Sequence, residues 1–103
     1  MVLERALITV SPGQEDAFEQ AFSTARAQLE GSRGFRGGTL SRGVESPSTY
    51  LLLVEWESLE DHTEGFRGSP AFTEWRRLLG PFFDGPPSVE HYVQVATTGR
   101  AQP

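Results

Sequence analysis

One segment, Tyr50-Leu51-Leu52-Leu53-Val54-Glu55-Trp56, restricts the fold of this chain more than any other. Its aromatic and aliphatic content reads as a β-strand. Side chains alternate across a strand, so Tyr50, Leu52, Val54 and Trp56 point to one face and Leu51 and Leu53 to the other. A strand with one wet face alternates polar with apolar residues; this one does not, so both faces need cover. A chain of 103 residues forms one domain with one modest core. Its helices can cover one side of a sheet. The apolar face left over predicts a homodimer, sheet against sheet.

The other elements follow from local signals. Residues 3 to 10 read as a first strand. Ser11-Pro12-Gly13-Gln14 reads as a helix start, with Ser11 as N-cap, Pro12 at the first helical position and Gln14 closing a capping box. Phe18, Phe22, Ala25 and Leu29 form one apolar stripe on a helix running to about Glu30, where Gly31 stops it. Gly34 to Leu40 opens a second strand, whose glycines predict a bend or bulge. A turn at Gly43 to Ser48 leads into the Tyr50 strand. Ser58 caps a short helix through Phe66. Ser69-Pro70 starts another through about Leu79, with Phe72, Trp75 and Leu79 on its inner face. Pro81, Pro86 and Pro87 bound a loop carrying Phe82 and Phe83, and Val89 to Val95 reads as the last strand. The order β-α-β-β-α-β predicts an α+β, ferredoxin-like sandwich with four antiparallel strands and two helices on one face. The domain spans residues 1–96, and residues 97–103 form a polar tail.

Composition narrows the chemistry. The net charge is −5, and the nine basic residues are all Arg, spread along the chain with only Arg76 and Arg77 adjacent. Neither nucleic acid nor an anionic membrane is expected as a partner. Without Cys there is no disulfide, thiolate nucleophile, iron–sulfur cluster or Cys-based zinc site. No secretory pattern opens the chain, and no apolar run approaches roughly 18 residues, so a cytoplasmic location is expected.

Two histidines are present, His62 and His91. His62 shares the apolar face of the short helix with Leu59 and Phe66. It is either a core histidine with one hydrogen-bond partner or a proton acceptor at the wall of a pocket. The second task suits an imidazole, whose reference pKa lies near neutrality. His91, in line with Val89 and Val93, reads as structural. Neither a His-x-x-x-His nor a Glu-x-x-His spacing exists, and Asp61 and His62 point apart on a helix, so no metal site is expected. No Gly-x-Ser-x-Gly elbow or phosphate-binding loop is present. Trp56, Phe66, Phe72, Trp75, Phe82 and Phe83 cluster in the second half of the chain. Most belong in a core. Together, beside one histidine, they also suit a cavity for a flat apolar ligand, between the second helical region and the sheet.

The run Val54-Glu55-Trp56-Glu57-Ser58-Leu59-Glu60-Asp61-His62, followed by Phe66-Arg67-Gly68-Ser69-Pro70-Ala71-Phe72 and Trp75-Arg76, resembles the antibiotic biosynthesis monooxygenase family. Ser11-Pro12-Gly13-Gln14, Gly34-Phe35-Arg36-Gly37 and Pro87-Ser88-Val89-Glu90-His91-Tyr92 extend the resemblance over nearly the whole chain. It implies a dimeric α/β barrel with a pocket in each subunit. It also implies a cofactor-independent monooxygenase that oxidises a planar phenol, quinol or polyketide with dioxygen. In that reading His62 is the catalytic base, Trp56, Phe66, Phe72, Trp75 and Phe83 bind substrate, and neither metal nor cofactor is required. Haem-degrading relatives use an Asn on the first strand and a His ligand in the second helical region. This chain has no Asn, and Trp75 and Arg76 stand near the ligand position, so haem degradation is not expected. A binding domain without turnover, or a cyclase or isomerase on the same fold, are the alternatives.

Overall fold

A computed structural model describes residues 1–99, so residues 100–103 of the expected tail lie outside the described residues. The Tyr50 segment forms the strand β3 (Thr49–Trp56), flanked on one side by β2 (Phe35–Arg42) and on the other by β1 (Val2–Thr9). The fourth strand, β4 (Ser88–Tyr92), pairs with β1, and every pairing is antiparallel in the order β2-β3-β1-β4. With α1 (Glu15–Glu30) and α2 (Pro70–Leu79) on one face, this is the expected ferredoxin-like sandwich. β4 is shorter than the expected Val89–Val95: Val93 and Val95 are exposed and beyond the ladder.

Alternation sorts the strands as expected. Tyr50, Leu52, Val54 and Trp56 are buried beneath the helices with Ala6 and Ile8 of β1. Phe18, Ala25 and Leu29 of α1 and Trp75 and Leu79 of α2 complete this core, with Phe22 and Phe72 half-buried around it. Burying a side chain of this size contributes about 1.5–3 kcal/mol relative to leaving it in water. The opposite face carries Leu3, Leu7, Leu51, Leu53 and Tyr92, with the Arg5–Glu90 ion pair among them. Among the described residues no helix covers it, and Leu7 and Tyr92 are 39% and 46% exposed.

Two local expectations are corrected. α1 begins at Glu15, not at Pro12, because Gly13 takes φ of +89° and makes a turn in which Gln14 N–H donates to the Ser11 carbonyl. A left-handed residue cannot continue a helix, so the cap moves from Ser11 to Gln14. The short helix after β3 is a π-helical turn (Asp61–Phe66). Ser58 does accept from its Asp61 N–H at 3.2 Å, but the wider winding removes Leu59 from the face of His62 and Phe66, leaving it 39% exposed. Gly34 allows this turn to sit on the start of β2. Its φ is +83°, and a Cβ there would collide with the Asp61 carboxylate.

Other signals appear where the sequence placed them. Ser69 caps α2, its Oγ accepting from Phe72 N–H at 3.3 Å with Pro70 behind it. β2 breaks register between Phe35 and Gly37, the expected bulge.

Candidate active site

The second helical region stands off the sheet and leaves an open cavity of about 1080 Å³. Its floor is the inner face of the sheet, with Glu4, Ala6 and Ile8 from β1, Leu52 from β3 and Val89 from β4. Its walls include His62 and Phe66 from the π-helical turn, Arg67 just after it, and Phe72, Trp75 and Arg76 from α2, with Phe83 in the loop beyond. Of the residues expected to bind or transform a ligand, His62, Phe66, Phe72, Trp75 and Phe83 therefore face one space. Trp56 does not. It is wholly buried behind His62, its indole stacked on the imidazole at 5.3 Å between ring centroids and 19° between planes. Phe66 joins the group edge-on to Phe72, at 5.4 Å, and to Trp75, at 6.0 Å.

The position of His62 follows from the topology. β1 runs through the centre of the sheet, and its alternation turns Glu4 inward with Ala6 and Ile8. In the β1–β4 register Glu4 stands opposite His91. The π-helical turn lowers His62 onto both. Glu4 Oε1 accepts from Trp56 Nε1–H at 2.9 Å and lies 3.3 Å from His62 Nε2. His62 Nδ1 in turn lies 2.7 Å from His91 Nε2. Glu4 and His62 are 6% and 3% exposed, so water screens neither.

Burial sets their protonation. It pushes the Glu4 carboxyl above its ordinary range, against the opposing pull of the Trp56 N–H and the charge of Arg67. It pushes His62 down to about 4, helped by the charges of Arg67 and His91. His91 is lowered too, by burial and then Arg67. His62 thus does not keep the near-neutral value on which its expected role rested, and near pH 7 it is neutral. Its contact with Glu4 is then a hydrogen bond rather than an ion pair.

A neutral imidazole donates from one nitrogen and accepts at the other, which couples the three groups. With Glu4 ionised, His62 Nε2–H donates to the carboxylate and Nδ1 accepts from His91 Nε2–H. With Glu4 protonated, its O–H donates to Nε2, and Nδ1–H donates to His91. Adding or removing a proton at Glu4 therefore reverses both imidazoles. The proton-accepting unit is the connected set rather than His62 alone. Among the described residues no group of three or more carboxylates and imidazoles is arranged to hold a metal ion.

Sequence reasoning passed over Glu4 and placed His91 outside the site. A signal for Glu4 was present: it shares strand parity with Ala6 and Ile8, so a charged residue occupies an inward position of a central strand.

A family model described as antibiotic biosynthesis monooxygenase matches residues 1–78. The chain belongs to this family. The Bacillus subtilis (strain 168) protein YczJ, which is uncharacterised, is 47% identical over 95 residues, covering 92% of this chain and 100% of YczJ. A crystal structure of a candidate family monooxygenase from Bordetella bronchiseptica superposes with a TM-score of 0.89 at 41% identity, over 92% of this chain and 97% of the other. SnoaB, a cofactor-independent oxygenase from Streptomyces nogalater, shares the family fold with a TM-score of 0.82 at 19% identity, over 96% and 97% of the two chains. Among the described residues no helix is long and apolar enough to cross a membrane.

Proposed function

We propose that this chain is a cofactor-independent monooxygenase acting on a planar aromatic, a phenol, quinol or polyketide, with dioxygen. The observation that carries the reading is the buried Glu4–His62 pair, backed by half-buried His91, opening onto an aromatic cavity. The chemistry demands little else. A phenol that loses its proton becomes electron-rich enough to pass an electron to dioxygen. The substrate radical and superoxide then combine to a peroxide. Loss of water leaves a quinone, so one oxygen atom enters the product and the other departs as water. The protein must accept the first proton, hold the ring and exclude solvent. The Glu4–His62 pair accepts the proton. Phe66, Phe72, Trp75 and Phe83 hold the ring, and Trp56 fixes the His62 plane from behind. Arg67, whose charge favours the deprotonated form of all three titrating groups, favours the phenolate in the same way.

The family and the name of SnoaB support the oxygenase reading over a binding domain. The uncovered face of the sheet supports a homodimer. Leu3, Leu7, Leu51 and Leu53 of one copy would meet the same residues of a second, and a Leu51→Arg variant should run as a monomer in size-exclusion chromatography with light scattering.

The test is oxygen uptake by the purified protein with a panel of naphthols, quinols and anthrones. One equivalent of dioxygen consumed per quinone formed is the expected result. An aromatic that binds without oxygen uptake, whether or not it is isomerised, would overturn the proposal.

A further inference from the structure

The cavity reverses the charge of the molecule that contains it. The chain carries −5 overall, yet three arginines line the cavity, Arg67, Arg76 and Arg77, against a single carboxylate, Glu4. These arginines are not equally available. Arg77 is held in a two-point pair with Glu74, Nε to Oε1 at 2.6 Å and Nη2 to Oε2 at 2.7 Å. Arg76 lies with its guanidinium 5.8 Å from the centre of the Phe72 ring. Arg67 makes no side-chain hydrogen bond or ion pair among the described residues, and its charge is felt at Glu4 and His62, which line the cavity, and at His91 behind them.

A planar arginine fork recognises an oxyanion by two parallel hydrogen bonds, and it stacks on aromatic faces. Here a free fork and a second guanidinium over Phe72 stand on the same wall as the phenylalanines that would grip a flat ring. We infer that the cavity selects an aromatic that carries a carboxylate, with Arg67 as the principal anion contact and Arg76 as the second. This rests on the reading that the cavity takes a planar aromatic, and it adds a substituent distinct from the hydroxyl that reacts. A neutral ring leaves Arg67 with water alone, whereas an aromatic acid gives this exposed guanidinium a two-point partner at the cavity mouth.

The geometry also orients the ligand. The carboxylate lies toward Arg67 and Arg76, and the ring extends over the floor toward Glu4 and His62. The hydroxyl to be ionised is then presented to the proton-accepting pair.

The experiment is isothermal titration calorimetry of the whole chain at pH 7.5 with three probes of one shape: 2-naphthoate, methyl 2-naphthoate and 2-naphthol. The acid should bind roughly tenfold more tightly than the ester, the order expected of one charge-assisted hydrogen-bonded contact. An Arg67→Gln variant should lose that preference while its affinity for the ester is unchanged, and Arg67→Lys should restore part of it. Raising the salt concentration should weaken the acid and not the ester. Equal affinity for acid and ester overturns the inference and leaves the aromatic cavity standing, as does a preference that survives Arg67→Gln together with Arg76→Gln. Tighter binding of 2-naphthol, neutral at this pH, than of 2-naphthoate likewise overturns it. Failure of all three probes overturns the aromatic cavity, and this inference with it.

Discussion

Two clusters stand at opposite ends of the inner face of β3, each built from one large aromatic and nearby carboxylates. At one end Trp56 donates to Glu4, which meets His62. At the other, Tyr50 Oη donates to Glu19 Oε2 at 2.6 Å, and Ser48 Oγ donates to Glu15 Oε2 at 2.5 Å. Tyr50 and Trp56 are six residues apart, about 20 Å along the strand. Both rings are wholly buried, and their polar atoms differ only in what lies beyond them. Glu15 and Glu19 project from the first turns of α1 toward solvent, with Arg42 near Glu19. Hydrogen bonds from Ser48 and from backbone N–H groups hold the Glu15 carboxyl below its ordinary range. Glu4 lies under the π-helical turn and is pushed above it. Similar donors and acceptors thus give a settled carboxylate where water reaches it and a poised one where water is excluded. Only the second lies on the large cavity.

The largest way to sharpen the contrast is through turnover. His62→Ala should cost roughly 10²- to 10⁴-fold in kcat, the range for loss of a general base, with aromatic binding retained. Glu4→Gln should also slow turnover, and it should leave a visible mark. Gln keeps the acceptor for Trp56 N–H but donates to His62 Nε2, moving the His62 proton to Nδ1. Long-range ¹⁵N–¹H correlation spectra should show that tautomer in the variant and the Nε2–H form in the parent above the Glu4 pKa. Tyr50→Phe, at the other end, should leave both turnover and tautomer as they are. A Tyr50→Phe variant as slow as His62→Ala would erase the distinction between the two ends.

How much of this was legible in the sequence differs along the strand. The fold was, because β3 carries its two-sided burial in its own alternation and Ser69-Pro70 carries the cap of α2. The aromatic wall was, because Phe66, Phe72 and Trp75 belong to contiguous helical stretches. The polar floor was not. Glu4 and His91 are far apart in the chain and meet only through the β1–β4 register, while His62 joins them only because a π-helical turn replaces an α-helical one. That substitution also defeated the expected Leu59–His62–Phe66 stripe, since it rests on a 3.6-residue period. Trp56 was assigned to the ligand because aromatics beside a histidine look alike in sequence; stacking behind the ring and lining a cavity differ only in three dimensions.

Stability as a function of pH separates the clusters next. His62 has its folded pKa depressed from 6.5 to about 4. The fold favours neutral imidazole, so its contribution is complete above about pH 6.5 and is lost as the pH falls. Between about pH 8 and about pH 5 the loss is about 2 kcal/mol, and His91 acts in the same direction. Glu4 acts in reverse. Its raised value favours the protonated carboxyl, so its contribution is present below the unfolded value of 4.5 and is lost as the pH rises through the folded value. The two partly cancel in the parent protein. Glu4→Gln should therefore steepen the loss of stability on acidification, measured from urea midpoints at successive pH values, while His62→Gln should flatten it. Glu15, held low, loses its contribution only as the pH falls below the ordinary carboxylate range, so its end of the sheet should be silent in this window.

The smallest expected effect lies at that silent end. Tyr50→Phe keeps the buried ring and removes only the hydroxyl, whose proton is held so firmly that its pKa is pushed up to about 12 by burial and the Glu19 bond. The loss should be about 1 kcal/mol, the usual worth of one hydrogen bond. It should not be more, because Glu19, with its side chain 44% exposed, can be hydrated once the partner leaves. Trp56→Phe removes one of the two donors to Glu4, leaving His62 Nε2–H as its remaining partner, and also empties part of the indole site; with little access to water to replace the lost bond, the loss should be several times larger. Denaturant midpoints for the two variants, measured at one pH above both carboxylate values, remove one donor at either end of one strand face, with the smaller ring at position 56 adding to the larger loss. Equal losses would mean that burial does not distinguish the clusters, and Glu4 would then have no more claim to a role than Glu19.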